Sequence, residues 1–361
     1  MKIKNLSLIA ALFLFAGCGV TNQDYAAKVD PKIGSGGHGH VFVGANVPFG
    51  MTQVGPTSIT QEWDWCSGYH DSENSVIGFS HTHLSGTGCG DLFDVTLMPV
   101  VGEVQYGRGR LGDYSTGFWS EADRTQEVVE PGYYSVPLTR YNILAEMTAT
   151  ERGGLHRYTF PASDEAAIIL DLVHGGCFDR PEDLFAEAVS DTRVVGRRHS
   201  WGWSNNQKVY FVIEFSKPFE KFEAIGEHGF YYRIDFNTAE GEQIGVKVAL
   251  SSTSPEGAEL NYNTEVANIE FDAARKLAMK KWNNELGKFR IKGATPEQEE
   301  IFYTGVYHMY VAPSLFSDVD GTYRGADNKI HENPGYHTYT TFSLWDTYRA
   351  KLPLMTITHP E

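Results

Sequence analysis

The chain has 361 residues, with 30 Lys and Arg against 46 Asp and Glu, a formal charge of −16. At 41% hydrophobic and 21% charged it is globular in composition, which excludes a disordered chain, and its acidic balance excludes a protein that grips a nucleic-acid backbone. Aromatic residues make up 13%, a stock of flat apolar faces with polar tips that suits a core and a sugar-stacking site equally.

Residues 1–18 read as an export signal. Lys2 and Lys4 precede an apolar run from Leu6 to Phe15 that is too short to span a bilayer. The run ends in Phe15-Ala16-Gly17-Cys18, which resembles a bacterial lipobox with Cys18 as the lipidated residue. An ordinary secretory signal with an incidental Cys18 is the other reading. Residues 19–28 then read as a tether, and no later segment offers a transmembrane run. The expectation is an exported lipoprotein of the periplasm, outer membrane or cell surface, held to the membrane through its lipid only. Cys66, Cys89 and Cys177 are odd in number and fit no zinc-knuckle spacing. They read as small buried residues, with a Cys66–Cys89 disulfide open in an exported protein.

From Val95 to about Ser254 the chain reads as strands. Ala167–Val173, Val209–Phe215, Phe230–Phe236 and Ile244–Ser251 are rich in β-branched and aromatic residues. Arg152-Gly153-Gly154, His174-Gly175-Gly176, Ser204-Asn205-Asn206 and Glu227-His228-Gly229 supply turn chemistry between them. Short strands in succession without intervening helices predict an antiparallel sandwich or barrel-like sheet, not a doubly wound α/β fold, in a first domain placed at 29–255. The period then changes. Val266, Ile269, Ala273 and Leu277, then Met279, Trp282, Leu286 and Phe289, recur at helical spacing and predict a helical linker over 256–295. Thr295-Pro296-Glu297-Gln298 carries an N-cap, a first-turn Pro and a capping-box Gln, and starts a helix to about Val311. A third helical segment is expected from Tyr339 to Leu354. So few helices cannot bury their apolar faces alone, so 296–361 reads as the beginning of an incomplete helical domain.

Several motifs suggest chemistry. Gly34-Ser35-Gly36-Gly37-His38-Gly39 matches G-x-G-x-x-G, but Val41-Phe42-Val43 and Pro48 follow where a dinucleotide fold needs a helix. A loop allowing close backbone approach remains. His38-Gly39-His40 and His81-Thr82-His83 are H-x-H pairs that could serve zinc; loop or hydrogen-bonding histidines are the plainer reading. The run Trp63-Asp64-Trp65-Cys66-Ser67-Gly68-Tyr69-His70 combines aromatic platforms with carboxylate and imidazole, the groups that meet the C–H faces and hydroxyl edges of a sugar. A packed loop with satisfied polar atoms explains the same composition. Ser80–Asp91 holds Ser, His and Asp but lacks a nucleophile elbow, so no triad is expected. In Trp345-Asp346-Thr347-Tyr348-Arg349, Asp346 and Arg349 share a helix face, as an inter-helix ion pair or as a hydroxyl clamp beside the Trp345 platform.

Together with Val47-Pro48-Phe49-Gly50-Met51, the strings Val29–His40, Trp65–His70, Gly78–Asp91, Gly325-Ala326-Asp327 and Thr341–Arg349 are similar, in order, to the opening of glycoside hydrolase family 92. The resemblance runs from about Val29 to Glu361. It implies a bacterial exo-acting α-mannosidase, often α-1,2-specific, with a β-sandwich joined to an (α/α)6 barrel. It further implies inversion by separate acid and base carboxylates and dependence on Ca2+, with mannose-containing glycans as substrate. By the same resemblance the general acid and base and most calcium ligands lie beyond Glu361, so no catalytic carboxylate and no metal ligand is assigned in this stretch, which is expected to be inactive alone. The sandwich is expected to lend the site Trp65, Cys66, Gly68 and His70, and the barrel's first helices Trp345, Asp346 and Arg349. His38, His40, His81 and His83 are second-rank candidates. A non-catalytic glycan-binding surface lipoprotein is the alternative.

Overall fold

The computed structural model describes residues 23–226, 230–340 and 344–360. Cys18 with the rest of the signal, the Glu227-His228-Gly229 turn and Glu361 lie outside the described residues. Two large antiparallel sheets dominate. One has seven strands in the order Ala45–Asn46, Gln53–Thr57, Gly78–Ser80, Thr96–Val101, Ser163–Asp171, Tyr231–Thr238, Lys221–Ile225. The other has eight, in the order Arg180–Ala188, Arg193–Trp201, Gln207–Phe215, Glu242–Ser251, Gly153–Phe160, Ile143–Ala149, Tyr133–Leu138, Val128–Glu130. Alternating residues such as Tyr232, Ile234 and Phe236 face inward. The two inner faces meet in one core containing Phe79, Leu97 and Ile168 from the first sheet and Tyr134, Met147, Tyr158 and Phe211 from the second. This is the expected β-sandwich.

The turn expected at Arg152-Gly153-Gly154 lies one step earlier. Gly153 and Gly154 are already inside a strand, and the reason is space. A Cβ on Gly153 would come within 2.4 Å of Val266, and one on Gly154 within 2.6 Å of Val54. Glycine here serves close packing and not reversal.

The outer face of the eight-stranded sheet is covered by helices. Helix α1 (Pro255–Asn261), with Pro at its start and the Ser254 side chain accepting from Gly257 N, runs into a π turn over Tyr262–Val266. Helix α2 (Phe271–Leu286) follows after a break. Ala258, Tyr262, Val266 and Ala274 pack against Leu155, Val212 and Ala249 of the sheet. The buried face of α2 is Ala274, Ala278, Trp282 and Leu286, one position round from the expected Ala273 and Leu277. Gly132 decides it: a Cβ there would stand 2.6 Å from the Ala278 methyl, so the approach admits only small residues and Leu277 turns outward.

Helix α3 (Pro296–Met309) has the full expected capping box, Thr295 and Gln298 each satisfying the other's backbone. Its Tyr303, Val306 and Tyr307 join Trp282, Leu286 and Phe42 in a second core. Ala26 belongs to that core, and Asn283 Oδ1 accepts from the N–H groups of Tyr25 and Ala26. Residues 25–28, within the stretch read as a tether, are therefore docked on the helices. The third segment is divided: α4 is Leu344–Thr347 and α5 is Lys351–Thr358, and residues 341–343 lie outside the described ones. No described helix is long and apolar enough to cross a membrane.

Two buried clusters lock these parts. Arg198 lies between Asp94 and Asp179, all three fully buried, and also donates to the Leu172 carbonyl. At the seam between sandwich and helices, Asp318 accepts from Ser251 Oγ, Thr253 Oγ1 and Asn261 Nδ2. Arg152 there bridges Glu265 to the carbonyls of Ser317 and Asp318, and Arg324 donates to the carbonyls of Ser252 and Thr253.

Candidate functional site

Three loops at one end of the sandwich are knitted together. The glycine-rich loop 34–40 is followed by extended chain and a short strand, with no helix, as the rejected nucleotide reading requires. It folds so tightly that a Cβ on Gly39 would stand 1.8 Å from the Gly34 carbonyl oxygen. The His40 carbonyl accepts from Ser67 Oγ at 2.5 Å and Gly86 N–H at 2.7 Å. Ser85 Oγ accepts from Phe42 N–H, and the Ser35 carbonyl from Asp71 N–H.

Within this frame the candidate residues differ in role. Trp65 stacks on His70 with centroids 4.4 Å apart. His70 Nδ1 accepts from Ser72 N–H within its own turn, and its Nε2 donates to the Gly37 carbonyl at 3.1 Å, tying that turn to the glycine-rich loop. Cys66 is buried, its thiol donates to the Thr87 carbonyl at 3.1 Å, and burial pushes it up to about 12. Cys66, Cys89 and Cys177 are free thiols, so Cys66 and Cys89 form no disulfide. Gly68 has φ +87° and faces His83 Nε2.

The exposed indole of the run is that of Trp63, 53% exposed. Its Nε1–H donates to the Gly88 carbonyl at 3.0 Å, and His40 stands edge-on to it at 4.4 Å. Asp64 Oδ1 is 2.6 Å from His38 Nδ1 and 3.5 Å from His40 Nε2. The hydrogen bond from His38 holds the Asp64 carboxyl below its usual range. His40 Nε2, Trp65 Nε1 and His83 Nε2 are buried and find no hydrogen-bond partner among the described residues. Buried polar atoms are rarely left so, and these three lie on the loops that carry the candidate residues. The alternation Trp63-Asp64-Trp65 is the sequence signal for this rim; which indole is exposed is set by His70 taking the face of Trp65.

Of the other second-rank histidines, His81 has both ring nitrogens bonded inside the fold and His83 has one. His81 Nδ1 donates to the Val95 carbonyl, and its Nε2 accepts from His156 Nε2 at 2.9 Å. His156 Nδ1 in turn accepts from Tyr158 OH. Burial lowers His81 to about 4 and His156 well below its ordinary value. His83 Nδ1 donates to the Gln53 carbonyl. Among the described residues no three His, Cys, Asp or Glu side chains group so as to hold a metal ion.

Trp345 is 80% exposed on α4. Arg349, beyond that helix, donates from Nε to Tyr348 OH and lies over the Tyr348 ring, so it turns to Tyr348 where an Asp346 pair was one expectation. Among the described residues no hydrogen bond or ring contact joins Trp345, Asp346 or Arg349 to the Trp65–His70 loop.

The models of two domains match the chain in succession: the glycosyl hydrolase family 92 N-terminal domain over residues 28–251 and the glycosyl hydrolase family 92 catalytic domain over 257–361. The chain belongs to glycosyl hydrolase family 92. A family 92 α-mannosidase from Bacteroides thetaiotaomicron, solved with mannoimidazole, is 34% identical with a TM-score of 0.86, over 92% of this chain and 46% of that one. A family 92 inverting mannosidase from the same species is 25% identical with a TM-score of 0.79, again over 92% and 46%. A protein of Arthroderma benhamiae described as an uncharacterized secreted glycosidase is 22% identical over 90% of this chain and 45% of its own length. The chain thus spans about half the length of these relatives.

Proposed function

We propose that the complete protein is an exported exo-acting α-mannosidase that inverts configuration and removes α-1,2-linked mannose from glycans, and that these residues supply its sandwich and the start of its (α/α)6 barrel. Cys18 would carry the lipid that holds it at the membrane. One observation carries the reading: an exposed Trp63 indole beside the Asp64 carboxylate, whose Oδ1 stands 2.6 Å from His38 Nδ1 and 3.5 Å from His40 Nε2. A sugar ring offers apolar C–H groups to such an indole and hydroxyls to such a rim. His83 and Gly68 shape the floor, while Trp65, Cys66 and His70 hold the loop. Trp345, Asp346 and Arg349 would close on the sugar from the helical side.

The paired carboxylates that inversion needs are proposed beyond Glu361. Most ligands of the Ca2+ expected of the complete enzyme are proposed beyond Glu361; among the described residues no three His, Cys, Asp or Glu side chains group for a metal ion, and no step is assigned to it. The test is turnover of α-1,2-mannobiose by the complete protein with and without a chelator, beside residues 29–361 alone. Mannose release by the complete protein only, stopped by chelation, supports the reading. Binding of oligomannoside without any turnover by the complete protein would favour a non-catalytic glycan binder.

A further inference from the structure

A second set of rings lies beyond the Trp63 rim. Phe178, Trp201 and Trp203 are 52%, 45% and 55% exposed. They share one end of the sandwich. Arg180 and Trp201 are opposite one another in the register of their strands, and the Arg180 guanidinium lies over the Trp201 ring. Phe178, two residues earlier, donates its N–H to the Gly90 carbonyl at 2.8 Å. Trp203 follows Trp201 in a hairpin fixed by the half-buried loop below it: Asp91 Oδ2 accepts from Ser204 N–H at 2.7 Å, and Gly202 packs against the same carboxyl. Asn206 bonds to Asn328.

The segment that seats these rings also seats Trp63. Gly88 receives the Trp63 indole N–H, Gly90 receives Phe178, and Asp91 anchors the Trp203 hairpin. Residues 88–91 therefore anchor both aromatic groups through one short segment of backbone. Large rings held in water on well-anchored backbone mark interaction sites. The chemistry of this end alternates indole and phenyl rings with Asn205, Asn206 and Arg180. A protein partner would favour a contiguous apolar core. Rings spaced by amide and guanidinium donors suit a chain of sugars, each with an apolar face and hydroxyl edges.

We propose that Phe178, Trp201 and Trp203 form an outer subsite for the inner mannose residues of an oligomannoside whose terminal residue sits at the Trp63 rim. This rests on the reading of that rim as a glycan site. The subsite adds affinity for long substrates and none for a disaccharide.

The test uses the complete protein and its Trp201→Ala, Trp203→Ala and Phe178→Ala variants, assayed on α-1,2-mannobiose and on an oligomannoside of at least five residues. Expected is a five- to tenfold rise in KM for the long substrate at each tryptophan, on the order of one lost stacking contact, with kcat and the disaccharide kinetics unchanged. Equal loss on both substrates, or no change on either, overturns the proposal. If an alanine variant unfolds, Trp203→Phe against Trp203→Leu decides, since only the phenyl ring retains stacking. If the wild-type protein turns over neither substrate, the enzymatic reading has failed. Calorimetric titration of the long oligomannoside into wild-type and Trp203→Ala protein then tests the subsite directly: weaker binding by the variant supports it, and equal or absent binding overturns it.

Discussion

Gly68 and Asp64 show how single residues set the rim. Gly68 sits at φ +87°, and a Cβ there would come within 3.1 Å of both His83 Nε2 and the Pro56 carbonyl. Gly68→Ala is expected to lower stability by about 1–2 kcal/mol, through left-handed backbone strain plus crowding, read as a fall in the thermal midpoint. Asp64 is the charged group of the rim. Its carboxyl is held low by His38, so the charged form persists at mildly acidic pH and is lost only as pH falls below the ordinary carboxylate range. In the complete protein Asp64→Asn should raise KM for α-1,2-mannobiose several-fold with kcat little changed, and should abolish any acid-side rise in KM, as a pH series would show. The Trp65–His70 stack makes a different point. The sequence places indole, thiol and imidazole in one run, but which of them is exposed depends on His70, whose bond to the Gly37 carbonyl forms only when separate loops meet.

At the scale of elements, legibility follows locality. The α3 start was readable because its capping box is complete within four residues. The strands were readable because β-branched and aromatic runs are bounded by local turn chemistry. The face of α2 was not, since the close approach of Gly132, distant in sequence, selects Ala278 over Leu277. Likewise Gly153 and Gly154 read as a turn until Val266 and Val54 are seen against them. The two kinds of lock should respond differently. Thr295→Ala removes one cap on an exposed turn and is expected to cost about 1 kcal/mol. Arg198→Ala strands the Asp94 and Asp179 carboxylates in the interior and is expected to cost about 3–5 kcal/mol. Chemical denaturation of both variants gives the comparison, and equal costs would show that the buried cluster is hydrated.

Across the whole molecule, buried neutral histidines tie stability to pH. Burial holds His81, His83 and His308 at about 4, and His156 well below its ordinary value. The unfolded chain takes up protons near 6.5 where the folded one does not. Stability is therefore full above that value and falls as pH drops towards 4, by about 1.4 kcal/mol per pH unit for each such histidine. His308→Gln, which can still donate to the Ile33 carbonyl, is expected to reduce this slope and move the acid-unfolding midpoint to lower pH, measurable by circular dichroism. A slope identical to wild type would mean that His308 is protonated in the folded protein. The sandwich itself was legible from the succession of strands without helices. The coverage of its outer face by α1 and the π turn was not, because those helices carry small and polar residues whose burial depends on the sheet beneath.

The seam of Arg152, Asp318 and Arg324 has a thermodynamic meaning. Each of these side chains holds backbone or polar groups on both sides of the boundary, so the entropy of aligning sandwich with helices is lost once, during folding. Under the proposed function, a sugar arriving at the loop end would meet groups already in position, and its binding energy would go into contact instead of being consumed in drawing two bodies together.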